Sequence, residues 1–352
     1  MSDRLPAFGT VRAAGSSDRR FLTRALARPS LPAAVGLVVV VAFFSLQAPA
    51  LRTVGGLATV LDVAASLGIG AVAVALLLIA GQFDLSVGVM ALASSLLSAL
   101  LIGPGGWPVW PALTASLLAA LLVGVVNGVL VVNTGLPSFL VTVATFLVLQ
   151  GTALAGFEAF AGSTQVRGLD SAQGWSSAAA VFGSFAEIGA GRFHVALLWW
   201  LGATALATWA LWRTRFGNAV FAAGGARQAA RELGVPVRRT TVALFCLTAT
   251  AGWLIGTLGL FRLESVQLSN AGLGTGLDFV IVAVIGGCLL TGGYGSAVGA
   301  AVGALLYAVA RQGITLAGWD PRWFQVFLGA VLLVALLTNG VVRRRLKARP
   351  RS

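Results

Sequence analysis

Two carboxylates stand apart in this chain because apolar runs, rather than loops, surround them: Asp84 and Asp278. A carboxylate at the bilayer centre costs roughly 2.5–3.5 kcal/mol on insertion scales, so such a group faces protein or water. Asp84 lies in Gly81-Gln82-Phe83-Asp84-Leu85-Ser86-Val87-Gly88, a stretch that interrupts the apolar pattern. Two roles fit it. Ahead of a helix, Asp84 accepts from orphan backbone N–H groups as a cap. Alternatively, the break lines a water-filled path, where irregular backbone is tolerated at membrane depth. Asp278, after Gly274-Thr275-Gly276-Leu277, has the same two roles open to it. Asn127, Thr142, Thr145 and Gln150 are further hydrogen-bonding groups inside apolar runs. Thr142 and Thr145 share a helix face at i, i+3. Each of these groups either fastens helices together or lines a path.

Other chemistry is excluded. The single lysine, Lys347, sits in a basic tail, so a G-x-x-x-x-G-K-[ST] phosphate loop cannot form and any ATP-driven work falls to another polypeptide. One histidine, His194, and two separated cysteines, Cys246 and Cys288, rule out the usual zinc spacings. The cysteines read as small buried hydrophobes with no disulfide framework, and His194 as a residue of the lipid boundary. No nucleophile–base pairing stands out. The expectation is no catalytic residue, no metal and no cofactor of the chain's own.

The elements that must position these groups are membrane helices. Of 352 residues, 58% are hydrophobic and 10% charged, which defines an all-α polytopic membrane protein. The net charge of +13 falls in blocks at residues 1–30, 213–239 and 343–351, all flanking apolar runs. That is the pattern of cytoplasmic loops facing lipid headgroups, not of a nucleic-acid surface. Both termini are thus expected in the cytoplasm, with basic tails at 1–30 and 343–352 and a transmembrane domain at 31–342. Apolar runs at about 31–48, 57–80, 89–102, 109–132, 137–156, 194–212, 241–261, 277–291, 294–316 and 323–342 make about ten spans, several short or broken. Ala48-Pro49-Ala50 resembles a signal-peptidase site, but the long basic region before it favours a retained first span. Trp199, Trp200, Trp209 and Trp212 lie towards the ends of the sixth run, as interfacial anchors do. Gly295, Gly299 and Gly303 form a small-residue stripe for close helix packing within the chain. Residues 157–193 form the long outer segment, and 213–240 the long inner one.

In that inner loop, Ala226, Ala229, Ala230 and Leu233 recur at i, i+3, i+4 and i+7 on one helix face, with Arg227, Arg231 and Glu232 off it. Gly234 and Pro236 stop the pattern. A helix of two to three turns is too short to stand alone in water. It is either a plain solvated loop or a docking helix for a partner.

Four stretches in order resemble the permease subunits of ATP-binding-cassette importers for simple sugars, of the ribose, xylose and autoinducer-2 type, which are related to branched-chain amino-acid permeases. Gly81-x-Phe83-Asp84-Leu85-Ser86-Val87-Gly88 is similar to the family's G-G-I-D-L-S-V-G. Asn127-Gly128 with Gly135-Leu136-Pro137-Ser138-Phe139 and Thr142 resembles its N-G…P-x-F-I-x-T-L run. Gly217-Asn218, Ala222, Gly224-Gly225, Ala229-Ala230-Arg231 and Gly234-Val235 resemble its cytoplasmic segment. Gly286-Gly287, Gly292-Gly293-x-Gly295-Ser296 and Gly299 resemble its G-G…G-G-x-G-S-x-x-G stretch. Leu233 departs from the usual Ser and Asp278 from Glu; Gln82 and Phe83 depart from the usual Gly and Ile in the region nearest the path, which bears on the substrate rather than the family. The resemblance implies a type II importer-like fold and a multi-pass protein of the bacterial plasma (inner) membrane. The implied partners are cytoplasmic ATPase subunits, an extracytoplasmic solute-binding protein and a second permease copy, identical or similar. It also implies an ATPase-coupling segment at Ala226, Ala229, Ala230, Arg231, Leu233 and Gly234. The implied path residues are Phe83, Asp84, Asn127, Phe139, Thr142, Thr145 and Asp278. The branched-chain amino-acid permeases and, from another class, an ion-coupled secondary transporter using Asp62, Asp84 or Asp278 are the alternatives.

Overall fold

The computed structural model describes residues 30–162, 165–267 and 273–347. The expectations for the tail at 1–30 and for the last residues of 343–352 lie outside them.

Helix boundaries follow local chemistry. After α1 (Leu31–Gln47), the hydroxyl of Thr53 caps α2 (Val54–Ile79) by accepting from the Gly56 N–H at 3.0 Å. The break at 80–85 leads into α3 (Ser86–Ile102). Next come α4 (Val109–Thr134) and α5 (Ser138–Ala161), each preceded by a proline and stopped by a left-handed glycine, Gly135 and Gly162. The outer segment is folded: β1 (Gln165–Val166), α6 (Trp175–Phe182), β2 (Phe185–Ile188) and β3 (Gly191–His194). Strands β2 and β3 form an antiparallel hairpin, while β1 pairs with β4 (Val266–Gln267). Trp175 and Phe182 are buried and pack on Phe261, so this segment is anchored to the bundle. The chain continues through α7 (Ala196–Arg213), α8 (Arg215–Gly225), α9 (Arg227–Glu232), α10 (Val237–Leu263), α11 (Leu273–Ile285), α12 (Ala297–Leu316) and α13 (Trp323–Lys347).

Each of the ten apolar runs read from the sequence carries a helix. Five of them (α2, α4, α5, α10 and α12) are long and apolar enough to cross a membrane. α2 is the centre: its apolar window is 89% buried, against 17% for α5, and α7, α10, α11 and α12 pack around it. A helix that is apolar all round and buried all round belongs inside a bundle, not at the lipid face.

Small residues set the closest approaches. A Cβ on Gly299 would strike the Gly286 carbonyl, and one on Gly303 the Val282 carbonyl, so this stripe packs α12 on α11 within the chain. Gly295 precedes the helix instead of sharing its face. Trp200 corrects the interfacial reading. It is 3% exposed, its ring against Gly68 of α2, whereas Trp209 and Trp212 are exposed as anchors should be.

Two glycines of α10 give a matched test of this packing. A Cβ on Gly256 would collide with the Ala91 carbonyl, and one on Gly259 meets nothing within 4 Å. Gly256→Ala is expected to lower stability by about 1–3 kcal/mol. Gly259→Ala should be neutral or stabilising by up to about 1 kcal/mol, since it removes a helix-interior glycine. Thermal unfolding of the two variants in detergent measures the difference.

Candidate functional site

The break after α2 places Asp84 in the protein interior, 1% exposed. Its Oδ1 accepts from the Ser86 backbone N–H at 2.8 Å and from the Ser86 hydroxyl at 2.6 Å. Its Oδ2 accepts from the Thr248 hydroxyl of α10 at 2.5 Å. Asp84 thus serves the first N–H of α3 from one residue outside the cap position, which Leu85 holds, and the same carboxylate also ties α3 to α10. Thr248 lies eleven residues beyond Val237, roughly 16 Å along α10 at 1.5 Å per residue, about half of a 30 Å hydrocarbon core.

The network continues. Asn127 Nδ2 donates to Ser86 Oγ at 3.2 Å, and Thr145 Oγ1 donates to Asn127 Oδ1 at 2.6 Å. The freed backbone of the break is satisfied by α5. Phe83 N–H donates to Ser138 Oγ at 2.9 Å, and Leu85 N–H to Thr142 Oγ1 at 3.3 Å. Four helices thus converge on one non-helical turn, with Asp84, Asn127, Thr142 and Thr145 brought together. Phe83 contributes its backbone. Phe139 contributes only its carbonyl, which accepts from Thr142 Oγ1 at 3.3 Å, while the residue itself is 48% exposed. Asp278 is held elsewhere, accepting from the Tyr307 hydroxyl of α12 at 2.9 Å. Its helix still meets the break: a Cβ on Gly276 would strike the Leu85 carbonyl, and one on Gly88 would press on the Gly276 amide. α3 and α11 begin against one another.

Sequence reasoning misses Thr248 and the role of Ser138. A threonine in an apolar run usually bonds back to its own helix, as Thr248 also does to the Phe245 carbonyl at 3.0 Å. Nothing local marks its second partner, 164 positions away. Asp62, the remaining acid of the apolar runs, pairs with Arg262 of α10 at 2.5 Å.

A second feature joins the break to the inner loop. Gly81 has φ 74 and lies against Gly224 Cα and the Thr291 carbonyl. A Cβ on Gly224 would collide with the Ile79 carbonyl and the Gly293 amide, and that amide donates to the same Ile79 carbonyl at 2.8 Å. A Cβ on Gly292 would meet Gly81. The ends of α2 and α8 and the turn at 292–293 therefore touch backbone to backbone.

The inner loop holds two helices where the sequence suggests one. Thr214 caps α8 by accepting from the Gly217 N–H at 3.2 Å, and α8 buries Ala219, Val220 and Ala223. α9 has six residues, fewer than the expected two to three turns. Gly234, with φ 77, ends it, and the Val235 N–H donates to the Ala230 carbonyl at 2.9 Å. The four-residue apolar face is split. Ala230 turns inward, 5% exposed, while Ala226, Ala229 and Leu233 are exposed, Leu233 at 83%. Arg231 and Gly234 are exposed too. Arg227, read as lying off the apolar face, is half-buried with its Nε unpartnered. Burial, reinforced by Arg231, lowers its pKa below the ordinary arginine value.

Residues 56–336 match the family described as branched-chain amino acid transport system / permease component. The chain is 29% identical over 326 residues to the ribose import permease protein of Escherichia coli (strain K12), covering 92% of this chain and 97% of that one. It is 29% identical over 324 residues to the fructose import permease protein of Rhizobium meliloti (90% of this chain, 87% of that one). A probable ABC transporter permease protein of Escherichia coli (strain K12) is 33% identical over 319 residues (88% and 90%). No solved structure matches the chain. A helical membrane bundle with a polar break and a glycine-bonded inner loop is thus a transport subunit by class. The chain belongs to this family of transport-system permease components, which translocate and are not themselves enzymes.

The network makes a prediction about Asp84. Asparagine at 84 still accepts both Ser86 bonds and can donate to Thr248 Oγ1, whose own hydrogen keeps the Phe245 carbonyl. Asp84→Asn is therefore expected to fold and assemble, whereas Asp84→Leu strands the Ser86 donors and fails to accumulate. Thr248→Val, leaving Oδ2 without a donor, should cost about 1–3 kcal/mol. Membrane yield and thermal unfolding read all three.

Proposed function

We propose that this chain is the membrane-spanning permease of an ATP-driven importer, passing a sugar or sugar-like solute delivered by an external binding protein. The observation that carries the reading is the contact of Gly224, at the end of the inner-loop helix α8, with the broken span that leads to Asp84. The relatives named for ribose and fructose import supply the solute class. Cytoplasmic ATPase subunits dock on the exposed Ala226, Ala229 and Leu233, with Arg231 and Gly234 beside them. Both termini and this loop face the cytoplasm, and the folded segment from β1 to β3 faces the binding protein. Closure of the ATPase pair moves α8 and α9, and the glycine contacts carry that movement to the break. Phe83, Asp84, Asn127, Thr142 and Thr145 border the path that opens. Phe139 and Asp278 border it as well, and a second permease copy completes it. The switch is a two-state element biased from one end. The family's description keeps branched-chain amino acids as the second solute class.

Reconstituted alone, the chain is expected to show neither ATP hydrolysis nor solute uptake driven by a proton or sodium gradient. With the ATPase subunit present, the loaded binding protein should raise hydrolysis. Reciprocally, trapping the ATPases closed must change the binding protein's affinity for the permease. Uptake of labelled ribose, fructose, galactose and leucine by the full assembly separates the solute classes. Accumulation by the permease alone would overturn the importer reading.

The docking surface has its own test. Ala229→Glu puts a carboxylate on the exposed face, so the protein should insert and unfold normally yet lose co-purification of the ATPase subunit. Ala230→Glu, buried, should instead destabilise the loop itself. Undiminished co-purification with Ala229→Glu would sink the docking assignment.

A further inference from the structure

Where α10 leaves the inner loop, Arg238 and Arg239 stand on its first turn beside Arg231 of α9 and Asn133 near the end of α4. These side chains line an open hollow of about 800 Å³. Arg238 donates to Asn133 Oδ1, which fixes one guanidinium on the rim. Among the described residues, none of the three arginines forms an ion pair. The first-turn amides of α10 add positive partial charge at the same place. A second hollow of about 510 Å³ shares Asn133, Arg238 and Arg239 and continues over Val129 of α4 and Val242 of α10. Val129 is 40% exposed. The cleft is therefore cationic at the helix ends and apolar one turn further into both helices.

We infer that this cleft between α4 and α10 binds an anionic glycerophospholipid of the cytoplasmic leaflet, its phosphate on Arg238 and Arg239 and its acyl chain along Val129 and Val242. The two-part chemistry selects this occupant. Arginine forks match phosphate oxygens, and basic clefts between membrane helices on the cytoplasmic side suit acidic headgroups. An acidic segment of a protein partner would use the arginines and leave the valine wall uncovered. A bound lipid brackets the inner loop, because Arg231, Gly234 and Val235 line the same hollow. Occupancy thereby steadies the turn between α9 and α10. The inference rests on the membrane-spanning orientation with this loop inside and on nothing about the solute, so a failed sugar assay leaves it standing.

The test is native mass spectrometry of the purified full chain in neutral detergent. The probes are phosphatidylglycerol, phosphatidylcholine or soluble glycerol 3-phosphate. The wild type should retain phosphatidylglycerol, and neither of the other two. At about five-fold in affinity per arginine near a surface, Arg239→Gln should lower retention roughly five-fold while sparing the Arg238–Asn133 bond. Arg238→Gln with Arg239→Gln should lower it roughly twenty-five-fold. The paired Lys substitutions should retain most of it. Equal retention of phosphatidylcholine, or unchanged phosphatidylglycerol in Arg239→Gln, would overturn the site. Retention of glycerol 3-phosphate at the lipid's level would make it a free-phosphate site. Loss of ATPase co-purification with lipid retention intact would assign the arginines to the protein partner instead.

Discussion

The Gly293 amide bonds to the Ile79 carbonyl, and Gly224 lies where any side chain would force them apart. That contact is the constraint on which the rest depends. α2 is the buried centre of the bundle: the N–H groups of Ala80, Gln82 and Gly81 satisfy Leu76, Leu77 and Leu78 locally, and the carbonyl of its last residue, Ile79, needs a partner that neither lipid nor this turn supplies. Gly293 supplies that partner from a distant turn, with Gly224 packed beside it, and only glycine lets three backbones come so close. Because no side chain intervenes, no rotamer change can absorb a displacement. Within the proposed importer, a shift of α8 is therefore passed to Gly81, and three residues later to Asp84.

The acids of the apolar runs act as fasteners. Asp84 joins α3 to α10 through Thr248, Asp62 joins α2 to α10 through Arg262, and Asp278 joins α11 to α12 through Tyr307. Lipid offers no hydrophobic drive between helices, so small-residue contact and polar bonds hold such a bundle. α10 receives two of these three fasteners and presents Gly252 and Gly256 to α3, where a Cβ on either would press on that helix. The non-helical turn at 80–85 is thus held by side chains from three helices, which is why it persists instead of extending α2.

Much of this was legible in the sequence because membrane helices must satisfy their backbones locally. Apolar runs bounded by Pro and Gly placed α4 nearly residue for residue and the start of α5, which runs five residues past the expected end to Ala161, and Gly81 to Gly88 announced the break. Thr142 and Thr145, sharing a face, both reach the site as that spacing requires. What was hidden depends on long-range partners. Thr248 looks like any helical threonine until α3 is beside it. α8 carries three glycines in eleven residues, so it reads as loop, and its amphipathic face has meaning only against α2 and α10. Trp200 shares its composition with the exposed anchors, and only Gly68 opposite it makes room for burial. The four-residue face of the inner loop fails for the same reason. Periodicity places residues on a face but does not say that Ala230 is closed off by its own bundle.

The accounting of charge bears on the solute. A branched-chain amino acid carries an ammonium and a carboxylate, and each needs an opposite charge or several hydrogen bonds once out of water. The three acids of the apolar runs already accept from groups of this chain, Asp84 on both oxygens. An ammonium entering the break would have to displace Thr248 or Ser86 and unfasten α3 from α10 or from its own cap. A sugar asks for less. Its hydroxyls both donate and accept, so they can bond at the edge of a network of Ser, Thr and Asn without removing any member. The donors and acceptors around Asp84 are paired within the chain and closed off from solvent, so a neutral polar solute passing beside them asks for none of these bonds, which suits the proposed sugar permease.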